Sequence, residues 1–260
     1  MWKRIARSTP SSDTSERTDL GFSATGITVR FGSLTALEDV DFVLNAGEIL
    51  GVIGPNGAGK TTLTNVLTGF QVPTAGSVRL DGHDVTRWRP QELCRNGVVR
   101  TFQSVRPFGG LTVRENLAAP SSISASSARA RTDLVQRLLE RFELEPYADV
   151  LAKNLSHGTE RRLGVARALA GRPRYLLLDE PAAGLNEIES QRLVDVLRAV
   201  HVEFECALMV IEHDMRVIMQ LCDRIQVLDS GRTIAVGTPD VVRSSPAVLE
   251  AYLGANSGGA

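Results

Sequence analysis

The run Gly54-Pro55-Asn56-Gly57-Ala58-Gly59-Lys60-Thr61-Thr62 holds residue types that can bind a polyphosphate. Its spacing is G-x-x-x-x-G-K-[ST]. The glycines let the backbone fold closely round an anion and turn its N–H groups inward. Lys60 can reach the β- and γ-phosphates, and the Thr61 hydroxyl can ligate Mg²⁺. Glu48-Ile49-Leu50-Gly51-Val52-Ile53 before it is an apolar run of strand type. Leu63 to Leu67 after it reads as the first turns of a helix, whose start adds orphan donors and the positive end of a dipole. A Gly-rich turn that merely exposes a lysine needs neither neighbour. The expectation is a nucleoside triphosphate site.

A second constellation is Leu176-Leu177-Leu178-Asp179-Glu180, an apolar strand ending in two carboxylates. Burial of the strand would project Asp179 toward the metal bound by Thr61. Glu180, one residue on, is placed to orient and deprotonate an attacking water. The rival reading is a surface acidic pair at a strand end, which is less plausible after such an apolar run. No Asn-Lys-x-Asp segment follows a strand, so guanine specificity is not indicated. The further Arg-bearing motifs and second motor domain of a helicase are not seen.

These residues need an α/β scaffold, and the 260-residue chain is long enough for one such domain with a subdomain. A formal net charge of −1 gives no basic field for nucleic acid. Hydrophobic content of 43% and charged content of 23% are ordinary. Cys94, Cys206 and Cys222 show no C-x-x-C spacing and read as small buried apolar residues in a reducing compartment. No apolar run approaches the ~18 residues that span a bilayer, so a link to a membrane would go through a partner. Residues 1–22, rich in Ser, Thr and Arg, read as a disordered tail. Arg4 and Arg7 admit a transit peptide, against which Asp13, Glu16 and Asp19 count.

Along the chain, Gly26 to Phe31 reads as a strand, and Val40, Phe42 and Leu44 alternate as a second. Ser77 to Leu80 suggests another before the Asp81-Gly82 turn. Leu134, Val135, Leu138, Leu139 and Phe142 fall at helical spacing, with a loop or weak helix expected over Ser121 to Arg131. The stretch from about 89 to 160 thus reads as a mainly helical subdomain inserted into the core. Strand-helix alternation returns with Arg174 to Leu178, the helix marked by Leu193, Val196, Leu197 and Val200, and the strand Ala207 to Ile211. Such alternation implies a parallel sheet. Pro246 to Leu253 reads as a last helix before a flexible tail, residues 256–260.

In this order the chain resembles the ATP-binding-cassette family, over residues 23–255. The resemblance implies an α/β fold with a P-loop NTPase (RecA-like) core, an antiparallel β subdomain and the inserted helical subdomain. Phe31 matches the aromatic that stacks on adenine. Gln103, in Arg100-Thr101-Phe102-Gln103, matches the glutamine that senses Mg²⁺ and the attacking water. Leu155-Ser156-His157-Gly158-Thr159 matches the signature segment, with His157 and Thr159 replacing a glycine and a glutamine. Ser156 and Gly158 keep the hydroxyl and the close backbone approach that a phosphate needs. Ala183-Gly184-Leu185-Asn186 falls at the loop after the two carboxylates, with Asn186 in place of the more usual Asp. His213 matches the switch histidine that contacts the γ-phosphate. On this basis Glu180, His213, Lys60 and Gln103 are the catalytic candidates. Thr61, Gln103 and Asp179 are the metal candidates.

The segments Arg100–Gln103, Glu180–Asn186, Ile211–Met215 and Ala251–Gly254 look like the ATP-binding subunits of branched-chain amino acid importers. That resemblance implies ATP and Mg²⁺ as cofactors and a dimer, with an identical or a related second ATP-binding subunit. It further implies integral permease subunits, an extracytoplasmic solute-binding protein at one remove, and a peripheral place on the cytoplasmic face of the inner membrane. Phe108 and Leu111 read equally as permease contacts or as core. Rival readings are a soluble cassette ATPase for translation or DNA repair, and a regulatory cassette that binds ATP without turnover. A single cassette without sustained heptads disfavours the first; Asp179, Glu180 and His213 disfavour the second.

Overall fold

The computed structural model describes residues 21–101 and 107–255. The described residues open with two long antiparallel strands, β1 (Gly21–Phe31) and β2 (Leu34–Asn45), followed by β3 (Ile49–Ile53) and α1 (Lys60–Leu67). Next come β4 (Ala75–Leu80), β5 (His83–Asp84), α2 (Pro90–Arg95) and β6 (Val98–Arg100). Three helices follow: α3 (Val113–Ser124), α4 (Ala128–Arg141) and α5 (His157–Ala170). The chain then alternates β7 (Tyr175–Asp179), α6 (Glu187–Glu203), β8 (Ala207–Ile211) and α7 (Met215–Leu221). It ends with the hairpin β9 (Arg224–Asp229) and β10 (Arg232–Gly237), then α8 (Pro239–Arg243) and α9 (Pro246–Ala255).

Among the described residues these strands form two sheets, a central one in the order β10-β9-β3-β8-β7-β6 and a smaller one in the order β2-β1-β4-β5. β9, β3, β8, β7 and β6 run parallel; only β10 is antiparallel, and the smaller sheet is antiparallel throughout. The expected mixed α/β architecture is therefore present. β3 and β8 are buried at every position, as strands covered on both faces must be. The side chains of β3, β7 and β8 alternate between two cores. Ile49, Ile53, Leu176, Leu178, Leu208 and Val210 join the side chains of α3 to α7. Leu50, Val52, Leu177, Met209 and Ile211 join α1 and the antiparallel sheet. Each fully buried aliphatic side chain contributes roughly 1.5–3 kcal/mol, so the central sheet is the rigid part of the molecule.

Three boundaries differ from the sequence reading. Strand β1 begins at Gly21, inside the expected tail, because Phe22 is fully buried and stacks edge-on against Phe42 with ring centroids 6.1 Å apart. Residues 1–20 and 256–260 lie outside the described residues. β6 falls inside the expected helical subdomain but pairs with β7, so it belongs to the central sheet. Three residues are too few to show a period, which is why the strand escaped notice. Helix α5 also runs on to Ala170, well past residue 160. Within Ser121 to Arg131 both flanking helices encroach, and the Ser127 hydroxyl caps α4 by accepting from the Ala130 N–H at 3.1 Å. Cys206 and Cys222 are buried as expected, but Cys94 is exposed on α2.

Candidate nucleotide-binding site

The glycine-rich turn joins β3 to α1, and β7 and β8 lie alongside β3 in the same parallel sheet. Gly54 to Gly59, Asp179 with Glu180, and Glu212 with His213 therefore gather beyond the carboxyl ends of neighbouring strands. Register places Val52 beside Ile211, and Ile211 beside Asp179, at one level. Such a crevice is where open α/β sheets bind ligands.

Two glycines are required by the turn. Gly54 has φ 152°, and a Cβ there would lie 2.0 Å from the Leu228 carbonyl oxygen. Gly59 has φ 102°, and its Cβ would meet Leu37 Cδ2 at 2.6 Å and the Ala36 oxygen at 2.8 Å. Gly59 is also the N-cap of α1, where no side chain caps the helix and no acidic residue sits in the first turn. The first-turn N–H groups are thus left for an anion. Asn56, Gly57 and Thr61 are exposed, while Ala58 is buried beneath the turn. Lys60 folds back so that Nζ donates to the Gly54 and Pro55 carbonyl oxygens at 2.6 and 2.8 Å. Burial lowers the pKa of its ammonium below the ordinary lysine value, while the charges of Glu180 and Asp179 act against that shift.

Asp179 is held by Arg100, whose Nη2 donates to Oδ2 at 2.7 Å. Glu180 has φ 48°, the left-handed region, in a residue that is not glycine. Its N–H donates to the Ile211 oxygen at 2.9 Å, and its own carbonyl accepts from Arg161 Nη1 at 2.5 Å. Two bonds from two different elements hold the strained residue in place. His213 Nδ1 stands 3.9 Å from Glu180 Oε1 and 3.9 Å from Glu212 Oε2, with the imidazole mostly exposed. Glu212 is fully buried beside it and accepts from the Ala182 N–H at 2.6 Å and the His213 N–H at 3.3 Å. Burial raises the Glu212 pKa above the usual carboxylate range, the two backbone donors opposing it.

The signature segment lies at the start of α5. Ser156 is its N-cap, and Ser156 Oγ lies 2.9 Å from Thr159 Oγ1. Thr159 is buried, so this replacement of glutamine supports the cap instead of facing solvent. His157 Nε2 accepts from Arg161 Nε at 3.4 Å, tying the second departure to the same arginine that holds Glu180. Asn186 caps α6 by accepting from the Glu189 N–H at 2.9 Å, while Glu189 accepts from the Asn186 N–H at 3.0 Å. Among the described residues no hydrogen bond joins Ser156 or Gly158 to the phosphate loop. The structure thus gathers Lys60, Asp179, Glu180 and His213 at the carboxyl ends of neighbouring strands, while Ser156 and Gly158 lie at the start of α5. Phe31 ends β1 and is half-exposed. Gln103 lies outside the described residues. Phe108 is exposed with the Arg167 guanidinium 5.3 Å over its ring, and Leu111 is half-buried. Sequence reasoning gave no role to Arg161, Asn65 or the carboxylate of Glu212. Arg100 and Glu212 stood inside quoted motifs, so closeness to a motif was the one signal available.

A phosphate loop on a parallel sheet, faced by a carboxylate pair, defines a P-loop nucleotide-binding protein. Residues 37–183 match the family model for the ABC transporter, and residues 232–256 match that for the branched-chain amino acid ATP-binding cassette transporter. The chain belongs to the ABC transporter family. The high-affinity branched-chain amino acid transport ATP-binding protein BraF of Pseudomonas aeruginosa is 39% identical over 244 residues, covering 88% of this chain and 96% of that protein. LivG of Escherichia coli K12, which bears the same description, is 40% identical over 247 residues, covering 89% and 97%. Among solved structures, the ADP conformation of MJ1267, an ATP-binding cassette of an ABC transporter, aligns with a TM-score of 0.79 at 30% identity over 90% of this chain and 98% of that one. A dimeric post-hydrolysis state of the cassette MJ0796, bound to ADP and Pi, aligns with a TM-score of 0.74 at 26% identity over 84% and 98%.

Proposed function

We propose that this chain is the ATP-hydrolysing subunit of an importer of branched-chain amino acids. It would work as one of a pair at the cytoplasmic face of the inner membrane, closing on ATP to move integral permease subunits. Near full-length similarity to LivG and BraF and the match at residues 232–256 support the solute class. Among the described residues no helix is long and apolar enough to cross a membrane, so coupling to transport would run through those partners. One observation carries the chemistry: Asp179 and Glu180 stand at the carboxyl end of β7, level through β8 with the end of β3 from which the phosphate loop springs.

In this reading the amides from Gly54 to Thr62 cradle the phosphates, Lys60 neutralises charge on the β- and γ-phosphates, and Phe31 offers its exposed ring to the base. Thr61 and Asp179 supply the hard oxygen donors that suit Mg²⁺, and a metal that also takes substrate phosphates needs few protein ligands. Mg²⁺ when bound would neutralise the developing phosphate charge. Glu180 accepts a proton from water as its oxygen bonds the γ-phosphorus and the bond to ADP breaks, giving ADP and phosphate. His213, within 3.9 Å of Glu180, would stabilise the transferring group. Gln103 is assigned to sensing metal and water by the family resemblance. By the family resemblance, Ser156 and Gly158 at the start of α5 would close over the nucleotide of a second subunit. Exposed Phe108 is the proposed permease contact.

Glu180→Gln tests this. It should keep ATP binding, abolish turnover and trap an ATP-dependent dimer on size exclusion. Hydrolysis at the wild-type rate would remove Glu180 from its role. Co-purification from native membranes, with identification of the integral subunits and their transported solute, tests the solute class.

A further inference from the structure

Arg100 ends β6, which lies beside β7 at the edge of the central sheet. Its side chain is only 6% exposed, against 12% for Asp179. One arm, Nη2, donates to Asp179 Oδ2 at 2.7 Å; the other, Nη1, donates to Asn65 Oδ1 at 2.6 Å. Asn65 lies on α1 one turn beyond Thr61, on the same helical face. The guanidinium therefore bridges the carboxylate of β7 to the helix that carries the Thr61 hydroxyl. Thr101 adds to the hold: its N–H donates to the Leu177 oxygen at 2.9 Å, and its hydroxyl accepts from the Asp179 N–H at 3.4 Å. Burying a guanidinium is costly, and an ion pair that served packing alone could be replaced by apolar side chains. A planar fork reaching two separate elements fixes orientation as well as charge.

We propose that Arg100 is a positioning residue for the divalent cation that accompanies the nucleotide. It holds Asp179 at a set distance from α1, so that carboxylate and Thr61 hydroxyl are presented together. With Oδ2 engaged by the guanidinium, the carboxylate offers its other oxygen to the cation. This inference rests on the assignment of Asp179 and Thr61 as metal ligands. Lysine at this position would keep the charge but not the fork.

The test is titration of a fluorescent ADP analogue into the full chain, in EDTA and at rising Mg²⁺. Arg100→Lys, Arg100→Met, Asn65→Leu and Asp179→Asn are compared with wild type. Affinity in EDTA should be equal in wild type, Arg100→Lys and Asn65→Leu, and each variant's metal-dependent gain is read relative to its own value in EDTA. The Mg²⁺ needed for half of the metal-dependent gain should rise about 10-fold in Arg100→Lys, as for other residues that orient a metal ligand. Asn65→Leu should shift it the same way by less. These two variants keep the question open to measurement where Arg100→Met fails to fold. Wild-type or lower Mg²⁺ requirement in both overturns the positioning role. If Asp179→Asn also leaves the requirement unchanged, the ligand assignment itself falls; if that variant alone loses the metal-dependent gain, only the role of Arg100 falls.

Discussion

Glu180 offers a stability prediction that reports on the site without measuring turnover. Its φ of 48° places an L side chain in the left-handed region, which costs roughly 1–2 kcal/mol. The conformation persists because its carbonyl accepts from buried Arg161 at 2.5 Å and its N–H donates to Ile211 at 2.9 Å. A bond from a charged donor contributes about 1.5–3 kcal/mol, enough to hold the strain. Glu180→Ala and Glu180→Gly both remove the carboxylate from Lys60, so their difference isolates the backbone. Glycine escapes the strain but adds unfolded-state freedom, an offset of about 0.4–1 kcal/mol. The net expectation is that Glu180→Gly is about 1 kcal/mol more stable than Glu180→Ala, or about 2–4 °C in Tm for a chain of this size. Calorimetry must be done without nucleotide, since bound ligand shifts Tm by mass action. Equal Tm values, or a more stable alanine variant, would refute the strain at this position.

Two further outcomes follow from buried groups. Burial raises the Glu212 pKa, so the folded state favours its protonated form. The stability it contributes is fully present below the ordinary carboxylate pKa and is lost as pH rises through the raised value; thermal unfolding across that window should show the slope, and Glu212→Gln should flatten it. Cys94 is exposed, whereas burial pushes the Cys206 thiol up to about 12 and the Cys222 thiol higher still. A thiol reagent at pH 8 should therefore modify one cysteine in the native protein and all three after denaturation; fast reaction at a second site would contradict the packing beneath the central sheet.

The contrast between what the sequence disclosed and what it hid follows from distance along the chain. The phosphate loop was legible because its parts are contiguous: Gly54 and Gly59 must be glycine, for a Cβ at either would strike Leu228 or Ala36. Asp179 and Glu180 were legible because a fully apolar strand announces where it ends. β6 was not, since three residues show no period and their place is set by pairing with β7, over seventy residues on. The bonds that hold these two residues were hidden for the same reason: Arg100 reaches the Asp179 carboxylate across 79 positions and Arg161 reaches the Glu180 carbonyl across 19. An arginine has no pattern that marks its partner, and in a chain with 29 basic residues none stands out by type. Even the departures at His157, Thr159 and Asn186 make sense only after folding. Thr159 supports the Ser156 cap, His157 accepts from Arg161, and Asn186 caps α6. Sequence motifs therefore locate the groups that would touch ATP, while two buried arginines, each invisible in one dimension, hold the end of β7, one by the Asp179 carboxylate and one by the Glu180 carbonyl. Arg100 ties Asp179 to α1, and Arg161 ties Glu180 to the signature helix. Metal placement and signature contact would then be linked through adjacent residues of one strand end.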